Sequence, residues 1–371
     1  MSGHFSFAFS GDDIEDDGQA SSSAPNVSST SAQTAQPQPS ASAFPVPGKP
    51  LLPATSHDLR HMMSQLPSKI AYGILDINIG GEGGGEKIQL PRRELWDVRV
   101  QLMAEDDGGD TEPGLGNHDV KTGVYEGGFK SWESSLDLVK VLSPSKAFLS
   151  DTHMVPRIIE LGCGTALPSL ALFQWSLNLR AHDSSSVLSI VLADYNPTVL
   201  QLVTLPNFIL CWALRQRTES PLLQDAFSSE GELDLTPEVL AAFDEFLSAH
   251  KISLSFFSGA WSPEFVDLIC PNGAPRVENE PKQRTIILGA ETIYSPFALN
   301  SFAHTVSSLM EREKAQGNVA EVLVGAKKLY FGVGGSLDDF VTKARELGAN
   351  VEELLEETEG VRRGVIRCNL P

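Results

Sequence analysis

The stretch that decides the fold is RIIELGCGTALP, residues 157–168. An apolar run ends at Glu160 and is followed by Gly162, Gly164 and an apolar helical pattern. Glycines at alternate positions let the backbone approach a ligand closely because no Cβ stands in the way. The helix that follows presents unpaired N–H groups in its first turn. A strand, a glycine turn and a helix in this order predict a pocket for a nucleotide or a nucleoside.

The details of this turn favour a nucleoside that carries no phosphate. A dinucleotide fingerprint requires a third glycine, where this chain has Leu167, and an acidic residue about twenty positions later. The next acidic residue at a predicted strand end is Asp194, which is too distant, and Glu160 would repel a pyrophosphate. S-adenosylmethionine (SAM) has a ribose, a cationic sulfonium and no phosphate. We therefore predict a SAM pocket, with a dinucleotide oxidoreductase as the less favoured enzyme class.

The composition restricts the partners of the protein. The 371 residues carry a formal charge of −20, and 41% of them are hydrophobic, which suffices for a substantial core. Binding nucleic acid through its phosphates requires clustered Lys and Arg, so no direct nucleic-acid surface is expected. A basic protein is a compatible partner, although such a charge can also simply keep a soluble protein dispersed.

The cysteines and the longest apolar run argue against metal and membrane binding. The four cysteines include no C-x-x-C pair and no histidines at ligand spacing, so no metal site is predicted. The apolar run at residues 199–214 is shorter than the ~20 residues of a membrane span and is interpreted as a core helix. No secretory signal is recognised at the N-terminus. The expectation is a monomer in the cytoplasm and nucleus.

A tail of low hydrophobicity comes first. Residues 1–53 are rich in Ser, Ala, Pro and Gln, and they cannot bury enough apolar surface to offset their ordering entropy, so disorder is predicted. Phe5, Phe7 and Phe9 precede a run of acidic residues. This segment is either a short recognition peptide or an ordinary mobile terminus, and the sequence leaves both interpretations open.

An N-terminal extension, residues 54–120, separates the tail from the main domain. A helix start is predicted at residues 56–58. Strand-like runs at residues 70–77 and 95–100 flank a glycine cluster and predict the two strands of a β-hairpin.

The main domain, residues 121–371, alternates predicted strands and helices. Alternation of this kind predicts an α/β fold with a doubly wound, mostly parallel sheet of seven strands, the last two forming an antiparallel hairpin. A polar insertion at about 215–250 contains its own predicted helix. Ligands bind such sheets at the carboxyl ends of the strands, so the strand-end residues are candidate site residues.

The residues at four strand ends suit the parts of SAM. Asp194 can accept hydrogen bonds from both ribose hydroxyls, and Glu160 can bind the amino end of the methionine moiety. A small residue and an aromatic after the third strand offer an apolar slot for adenine, with backbone N–H groups for its ring nitrogens. Each residue alone also has a structural explanation, since an acidic residue shortly before a proline often caps a helix. The candidates are Glu160, Gly162, Gly164, Asp194, Tyr195, Asn196, Gly259, Ala260, Trp261, Glu291 and Tyr294.

Further segments carry a resemblance to a known family. They are LWDV at 95–98, KTGVYEGGFKSWE at 121–133, GAETIY at 289–294 and KKLYFGVGG at 327–335. Together with the ELGCG turn, they resemble the seven-β-strand protein-histidine N-methyltransferases that modify a histidine of a large-subunit ribosomal protein. The lineage usually carries Asp-x-x-Tyr after its fourth strand, whereas this chain has Glu291 at the first of these positions.

The resemblance implies a class I SAM-dependent methyltransferase that methylates the tele nitrogen of a histidine in a basic ribosomal protein. As the catalytic hypothesis, Glu291 accepts a hydrogen bond from the substrate imidazole and Tyr294 shapes the aromatic slot. The competing interpretation makes Glu291 a residue that contacts the donor or supports the site. The residues that the resemblance adds to the donor pocket are Ser131, Trp132, Glu133 and Ala290.

The sequence leaves two alternative functions open. Related families methylate lysine, which must first lose its proton, and the sequence does not exclude that acceptor. A non-catalytic, methyltransferase-like chaperone of a basic ribosomal protein would also suit the acidic chain. The intact turn from Glu160 to Gly164, together with Asp194, argues against an inactive donor site.

Overall fold

The structure is a computed structural model that describes residues 51–80, 85–105, 120–121, 125–126, 128–151, 153–180, 187–271, 282–330 and 334–371. The predicted disordered tail with its Phe-containing start lies outside these residues, except for its last three positions. Residues 122–124 and 127 of one family-like segment, and residues 331–333 of another, also lie outside them.

The main chain forms alternating strands and helices. The described strands are β1 (Thr55–His57), β2 (Lys69–Asn78), β3 (Lys87–Arg93), β4 (Val120–Lys121), β5 (Tyr125–Glu126), β6 (Met154–Leu161), β7 (Leu188–Asp194), β8 (Glu232–Asp234), β9 (Ile252–Ser258), β10 (Lys282–Ala290), β11 (Val319–Lys327), β12 (Asn350–Glu357) and β13 (Arg363–Asn369). The described helices are α1 (Leu59–Ser64), α2 (Leu95–Glu105), α3 (Glu133–Ser145), α4 (Leu167–Arg180), α5 (Pro197–Val199), α6 (Leu205–Gln216), α7 (Pro221–Ala226), α8 (Pro237–Ala249), α9 (Pro263–Ile269), α10 (Pro296–Ala315) and α11 (Leu337–Glu346). A 3₁₀ turn (Lys146–Ser150) follows α3, and a π-helical turn (Leu200–Thr204) joins α5 to α6.

One sheet organises the molecule, with the strand order β1-β9-β7-β6-β10-β11-β13-β12. The strands from β9 to β11 in this order are parallel, whereas β13 is antiparallel to both of its neighbours. Without β1, this is the seven-strand order of the class I SAM-dependent methyltransferases, so the predicted fold class is confirmed. Strand β1 adds an antiparallel edge beside β9, and α1 begins after it at Leu59 with Asp58 as its cap.

Two hydrophobic cores cover the two faces of this sheet. Successive side chains of a strand point to opposite faces. Ile158 therefore packs into the core shared with α3, α4 and α6, whereas Ile159 and Leu161 pack into the core shared with α9, α10 and α11. Because both faces are covered, the parallel strands are continuous apolar runs in the sequence.

The N-terminal extension forms the predicted hairpin, but its second strand ends early. Strands β2 and β3 pair antiparallel, and β8 of the insertion adds a third strand beside β2. Residues 95–100 belong to α2, so their assignment to a strand is wrong. The apolar residues of this stretch suggested a strand, yet Trp96 and Val100 are exposed. Val98 is buried, and the partly buried Leu95, one turn before it, packs against the same cluster.

The longest apolar run lies inside the molecule. The helical segment from Pro197 to Gln216 is long and apolar enough to cross a membrane by length and composition, but 78% of its most apolar window is buried. Within it, Phe208 packs against Phe173 with ring centroids 5.2 Å apart. Burial of this extent agrees with the interpretation as a core helix.

Candidate active site

The glycine turn leads from β6 into α4 and has an unusual backbone. Gly162, Gly164 and Ala166 have positive φ angles of 63°, 50° and 55°. A Cβ on Gly164 would lie 3.0 Å from the carbonyl oxygen of Gly128, and a Cβ on Gly162 would lie 2.9 Å from Cγ2 of Thr292. Both conformation and close packing therefore require glycine at these two positions.

Two buried carboxylates hold this turn. Glu160 is 1% exposed and accepts a hydrogen bond from the backbone N–H of Ser169 at 2.9 Å. Asp194 accepts hydrogen bonds from the backbone N–H groups of Gly164, at 2.9 Å, and Asn196, at 3.1 Å. Burial raises the pKa of Glu160 to about 7 and the pKa of Asp194 to about 6. Both predicted donor-binding acids thus lie at the turn, and their contacts with SAM stay predictions.

The end of β9 is covered by a segment that sequence reasoning assigned to the tail. Ala260 donates its backbone N–H to the carbonyl oxygen of Leu52 at 3.0 Å, and the N–H of Leu52 donates to the hydroxyl of Tyr195 at 3.3 Å. At Gly259, with φ 104°, a Cβ would lie 2.2 Å from the carbonyl oxygen of Pro53. The N–H group predicted to bond adenine is therefore already paired within the chain.

Two predicted donor-pocket residues after β7 and β9 have structural partners. Asn196 caps α5 by accepting a hydrogen bond from the N–H of Thr198 at 2.9 Å. Trp261 is 3% exposed, and its ring packs against Phe302 at a centroid distance of 5.4 Å. Trp261 therefore belongs to the core shared with α9, α10 and α11. The edge of its ring faces the glycine turn, since a Cβ on Gly162 would lie 3.7 Å from Cζ2 of Trp261.

The segment before α3 approaches the glycine turn from the other side. The Ser131 hydroxyl lies 3.1 Å from the Thr165 hydroxyl, which follows the turn directly. Glu133 instead accepts a hydrogen bond from Arg363 of β13 at 2.8 Å. The structure thus brings Ser131 to the turn, while the carboxylate of Glu133 points toward the C-terminal hairpin.

Glu291 follows β10 in a conformation that is rare outside glycine, with φ 56°. Its backbone N–H donates to the carbonyl oxygen of Gly325 at 2.9 Å. Its carboxylate accepts hydrogen bonds from the Ser134 hydroxyl and, at 2.6 Å, from the Tyr330 hydroxyl. Burial raises the pKa of Glu291 and raises that of Tyr330 well above its usual range. Sequence reasoning named neither Ser134 nor Tyr330 as a site residue, although Tyr330 lies in a family-like segment.

Other predicted residues of this edge flank Glu291. Ala290 is the last residue of β10 and pairs with Gly325 of β11. Tyr294 lies in the turn before α10 and packs against the second core. Thr292 is 4% exposed, and its hydroxyl has no hydrogen-bond partner among the described residues. The methyl group of Thr292 packs toward Gly162, and its buried hydroxyl is a group that a ligand can satisfy.

The predicted residues thus converge on one edge of the sheet, at the carboxyl ends of β6, β7, β9 and β10 and before α3. In the part of the chain that the structure describes, no three His, Cys, Asp or Glu side chains cluster as metal ligands would. The arrangement offers buried acids beside a close backbone turn, which suits a cation with a nucleoside body.

Comparisons with known proteins identify the family. No protein-family model matches the chain. The chain is 37% identical to histidine protein methyltransferase 1 of Saccharomyces cerevisiae over 271 residues, which cover 68% of this chain and 67% of the yeast protein. It is 32% identical to histidine protein methyltransferase 1 of Schizosaccharomyces pombe over 331 residues, which cover 85% of each chain.

Solved structures are more distant. An rRNA methyltransferase, aviRa from Streptomyces viridochromogenes, matches 64% of this chain and 88% of its own with a TM-score of 0.34 and 13% identity. Structural similarity this low says nothing about function. The family assignment is therefore based on the two sequence relatives. The chain belongs to the histidine protein methyltransferase 1 family and is a SAM-dependent methyltransferase.

Proposed function

We propose that this protein transfers the methyl group of SAM to the tele nitrogen of a histidine in a large-subunit ribosomal protein. The observation that carries the proposal is the Glu291 carboxylate at the end of β10, held by two hydroxyls beside the glycine turn. Membership of the family supports histidine as the acceptor. The tele position and the ribosomal substrate come from the family resemblance.

The donor side of the site fits SAM. The cradle at Gly162 and Gly164 has no room for a Cβ. Thr292, whose methyl group packs toward Gly162, has a buried hydroxyl that lacks a hydrogen-bond partner among the described residues. Glu160 and Asp194 supply negative charge within the turn, which favours a cationic ligand. When bound, SAM supplies an activated methyl group for in-line displacement. The protein then has to orient the acceptor histidine and keep the proton on the ring nitrogen that does not attack.

Glu291 is proposed to orient the acceptor. A histidine nitrogen attacks only if it carries the lone pair while the other ring nitrogen carries the proton. Each carboxylate oxygen of Glu291 accepts one hydroxyl hydrogen bond and retains a further lone pair. A hydrogen bond from the pros N–H of the substrate to Glu291 leaves the lone pair on the tele nitrogen. The same carboxylate stabilises the positive charge that develops on the ring.

The charge of the protein supports a basic partner. At a formal charge of −20, the surface favours association with a protein rich in Lys and Arg. Ribosomal proteins have this composition, and they are present in both the nucleus and the cytoplasm, where we place the enzyme. A monomer bound to neither nucleic acid nor membrane completes the proposal.

The decisive experiment is methylation of a cell extract with labelled SAM, followed by mapping of the label to residue and ring nitrogen. The expected product is tele-methylhistidine in one large-subunit ribosomal protein. Label on lysine only would refute the histidine acceptor, and label on the pros nitrogen would refute the proposed orientation. The matched control is the Gly164→Val variant, which should leave the extract unlabelled.

A further inference from the structure

Lys327 ends β11 next to the turn that carries Glu291. Strand β11 runs parallel to β10, with Gly325 opposite Ala290. The N–H of Glu291 donates to the carbonyl oxygen of Gly325 at 2.9 Å. Lys327 lies two residues after Gly325 in the chain. Lys327 therefore lies on the edge of the sheet where the proposed acceptor binds.

The ammonium group of Lys327 faces two aromatic rings. Its Nζ lies 5.8 Å from the ring centroid of Trp132 and 5.8 Å from that of Tyr330. Both distances are within the range of a cation–π contact. One ring precedes α3 and the other follows β11, so two separate elements hold the ammonium in place. The side chain is only partly exposed, which leaves its charge incompletely screened.

The neighbouring cations are neutralised by carboxylates. Lys328 pairs with Glu353 at 2.8 Å, and Arg363, which lies opposite Lys327 in β13, pairs with Asp137 at 2.8 Å. Within the described ranges, by contrast, no carboxylate lies within ion-pair distance of Lys327.

The carboxylate of Glu291 at this edge forms no ion pair with Lys327, although the positive charge of Lys327 lowers its pKa against the larger effect of burial. Its oxygens accept hydrogen bonds from the hydroxyls of Ser134 and Tyr330. As far as the structure describes the chain, the acceptor edge therefore presents a positive charge without an ion-pair partner next to one carboxylate.

We infer that Lys327 determines acceptor specificity, because its ammonium favours a neutral imidazole over a protonated lysine in the acceptor site. The inference rests on the proposed histidine methylation and adds the reason for the choice of acceptor. At pH 7 a lysine (pKa about 10.4) is protonated, whereas a histidine (pKa about 6.5) is mostly neutral. A lysine must enter against the charge of Lys327 or first lose its proton. A histidine does neither.

The size of this preference follows from charge repulsion. Two unit charges about 6 Å apart in a medium of effective dielectric constant about 20 repel each other enough to change an equilibrium about 100-fold. The sulfonium of SAM also repels a protonated lysine, but it does so equally in the wild-type protein and in every Lys327 variant, so its charge cancels when the variants are compared. Lys327 alone is therefore expected to change the ratio of histidine to lysine methylation.

The test compares two peptides with variants of Lys327. One peptide carries the histidine mapped in the extract experiment, and the other has lysine in its place. In Lys327→Gln, the preference for the histidine peptide in kcat/KM should fall by about 10- to 100-fold, chiefly because the lysine peptide reacts faster. Lys327→Met should behave in the same way. Unchanged preference in both neutral variants would overturn the inference.

Two controls separate the effect of charge from an effect on folding. Lys327→Arg keeps the charge and should keep the preference. Lys328→Gln removes a cation that is already paired with Glu353 and should also keep it. Thermal melting and calorimetric SAM binding check that each variant is intact. Loss of preference in Lys328→Gln equal to that in Lys327→Gln would contradict a specific role.

The pH profile supplies a second readout that a structural role would not change. A nearby cation lowers the pKa of the bound histidine, so Lys327→Gln should move the acid limb of kcat to higher pH. Other titratable or charged groups face Lys327 from neighbouring elements, namely Glu291, Tyr330, Arg363 and Glu133. The shift should persist in a Glu291→Gln background, and its absence there would overturn the inference. If the wild-type protein methylates no histidine, the proposed function itself fails.

Discussion

The two halves of the site hold their carboxylates by different means. At the glycine turn, Glu160 and Asp194 accept hydrogen bonds from backbone N–H groups. At the end of β10, Glu291 accepts hydrogen bonds from the side-chain hydroxyls of Ser134 and Tyr330. Backbone donors are present in any sequence that folds in this way, whereas hydroxyl donors depend on two particular residues. The donor half is therefore a property of the fold, and the acceptor half is a property of this chain's side chains.

A substitution at Gly164 should impair the donor half of the site most strongly, because it acts on the backbone of the glycine turn. Gly164→Val places a branched side chain at φ 50°, with its Cβ 3.0 Å from the carbonyl oxygen of Gly128. Strain and overpacking together cost on the order of 4 kcal/mol, so kcat/KM should fall about 1000-fold with loss of SAM binding by calorimetry.

The matched control for this variant is Gly317→Val. Gly317 also has a positive φ, 75°, but none of the described residues places an atom within 4 Å of the position that a Cβ would occupy there. The substitution should lower the melting temperature and leave SAM binding unchanged. Equal loss of SAM binding in both variants would mean that strain alone, and not the close approach to Gly128, explains the first result.

The second largest effect is expected from a substitution of Glu291, the carboxylate of the acceptor half. Glu291→Gln removes the negative charge that stabilises the developing imidazolium, so kcat should fall roughly 100-fold while SAM affinity stays unchanged. Turnover and calorimetric binding must be measured separately. Lost SAM binding with intact turnover would show that Glu291 contacts the donor and belongs to the donor half of the site.

A smaller effect tests the hydroxyls that hold this carboxylate. Tyr330→Phe removes the hydroxyl that lies 2.6 Å from Glu291, and kcat should fall about 10-fold. Because the hydroxyl hydrogen bond lowers the pKa of Glu291 against the effect of burial, its loss should move the acid limb of kcat to higher pH. Ser134→Ala should act in the same direction. An unchanged pH profile in both variants would show that the hydroxyls do not control the carboxylate.

The smallest effect is expected on the pH dependence of SAM binding, which depends on the carboxyl groups of the donor half. Burial raises the pKa of Glu160 to about 7 and that of Asp194 to about 6, so both carry less charge as pH falls from 8 to 5. SAM binding should therefore weaken several-fold over this range, since a cation prefers ionised carboxylates.

The stability of the free protein should respond in the opposite direction. A carboxyl group whose pKa is raised in the folded protein stabilises the fold when it is protonated. This contribution is fully present below the pKa of the unfolded chain, about 4, and is lost as pH rises through the folded-state pKa values of about 6 and about 7. Asp194→Asn should reduce both pH responses, as measured by calorimetry and thermal melting. SAM binding that strengthens as pH falls would contradict the role of these charges.

The regular part of the fold was predictable because each of its elements has a strong local pattern. The strand ending beside Glu160, the helix that follows and the strand ending at Asp194 all form where the sequence pattern predicts them. Residues 95–100 were wrongly predicted as a strand because a short apolar run also occurs on a helix whose outer face is exposed. The third strand beside β2, contributed by β8, had no sequence signal because pairing across more than 160 residues leaves no local pattern.

By itself, the sequence determined the alternation of strands and helices, the glycine turn and the family, since these follow from hydrophobic periodicity and from residues whose spacing is local. Only the tertiary structure decided which groups meet. It paired Ala260 with Leu52, turned Glu133 toward Arg363, and joined Glu291 to Tyr330. Such contacts depend on how distant segments pack, and side chains far apart along the chain carry no record of one another's position. The fold of this enzyme is therefore encoded locally, whereas the environment of its acceptor site is set by long-range packing.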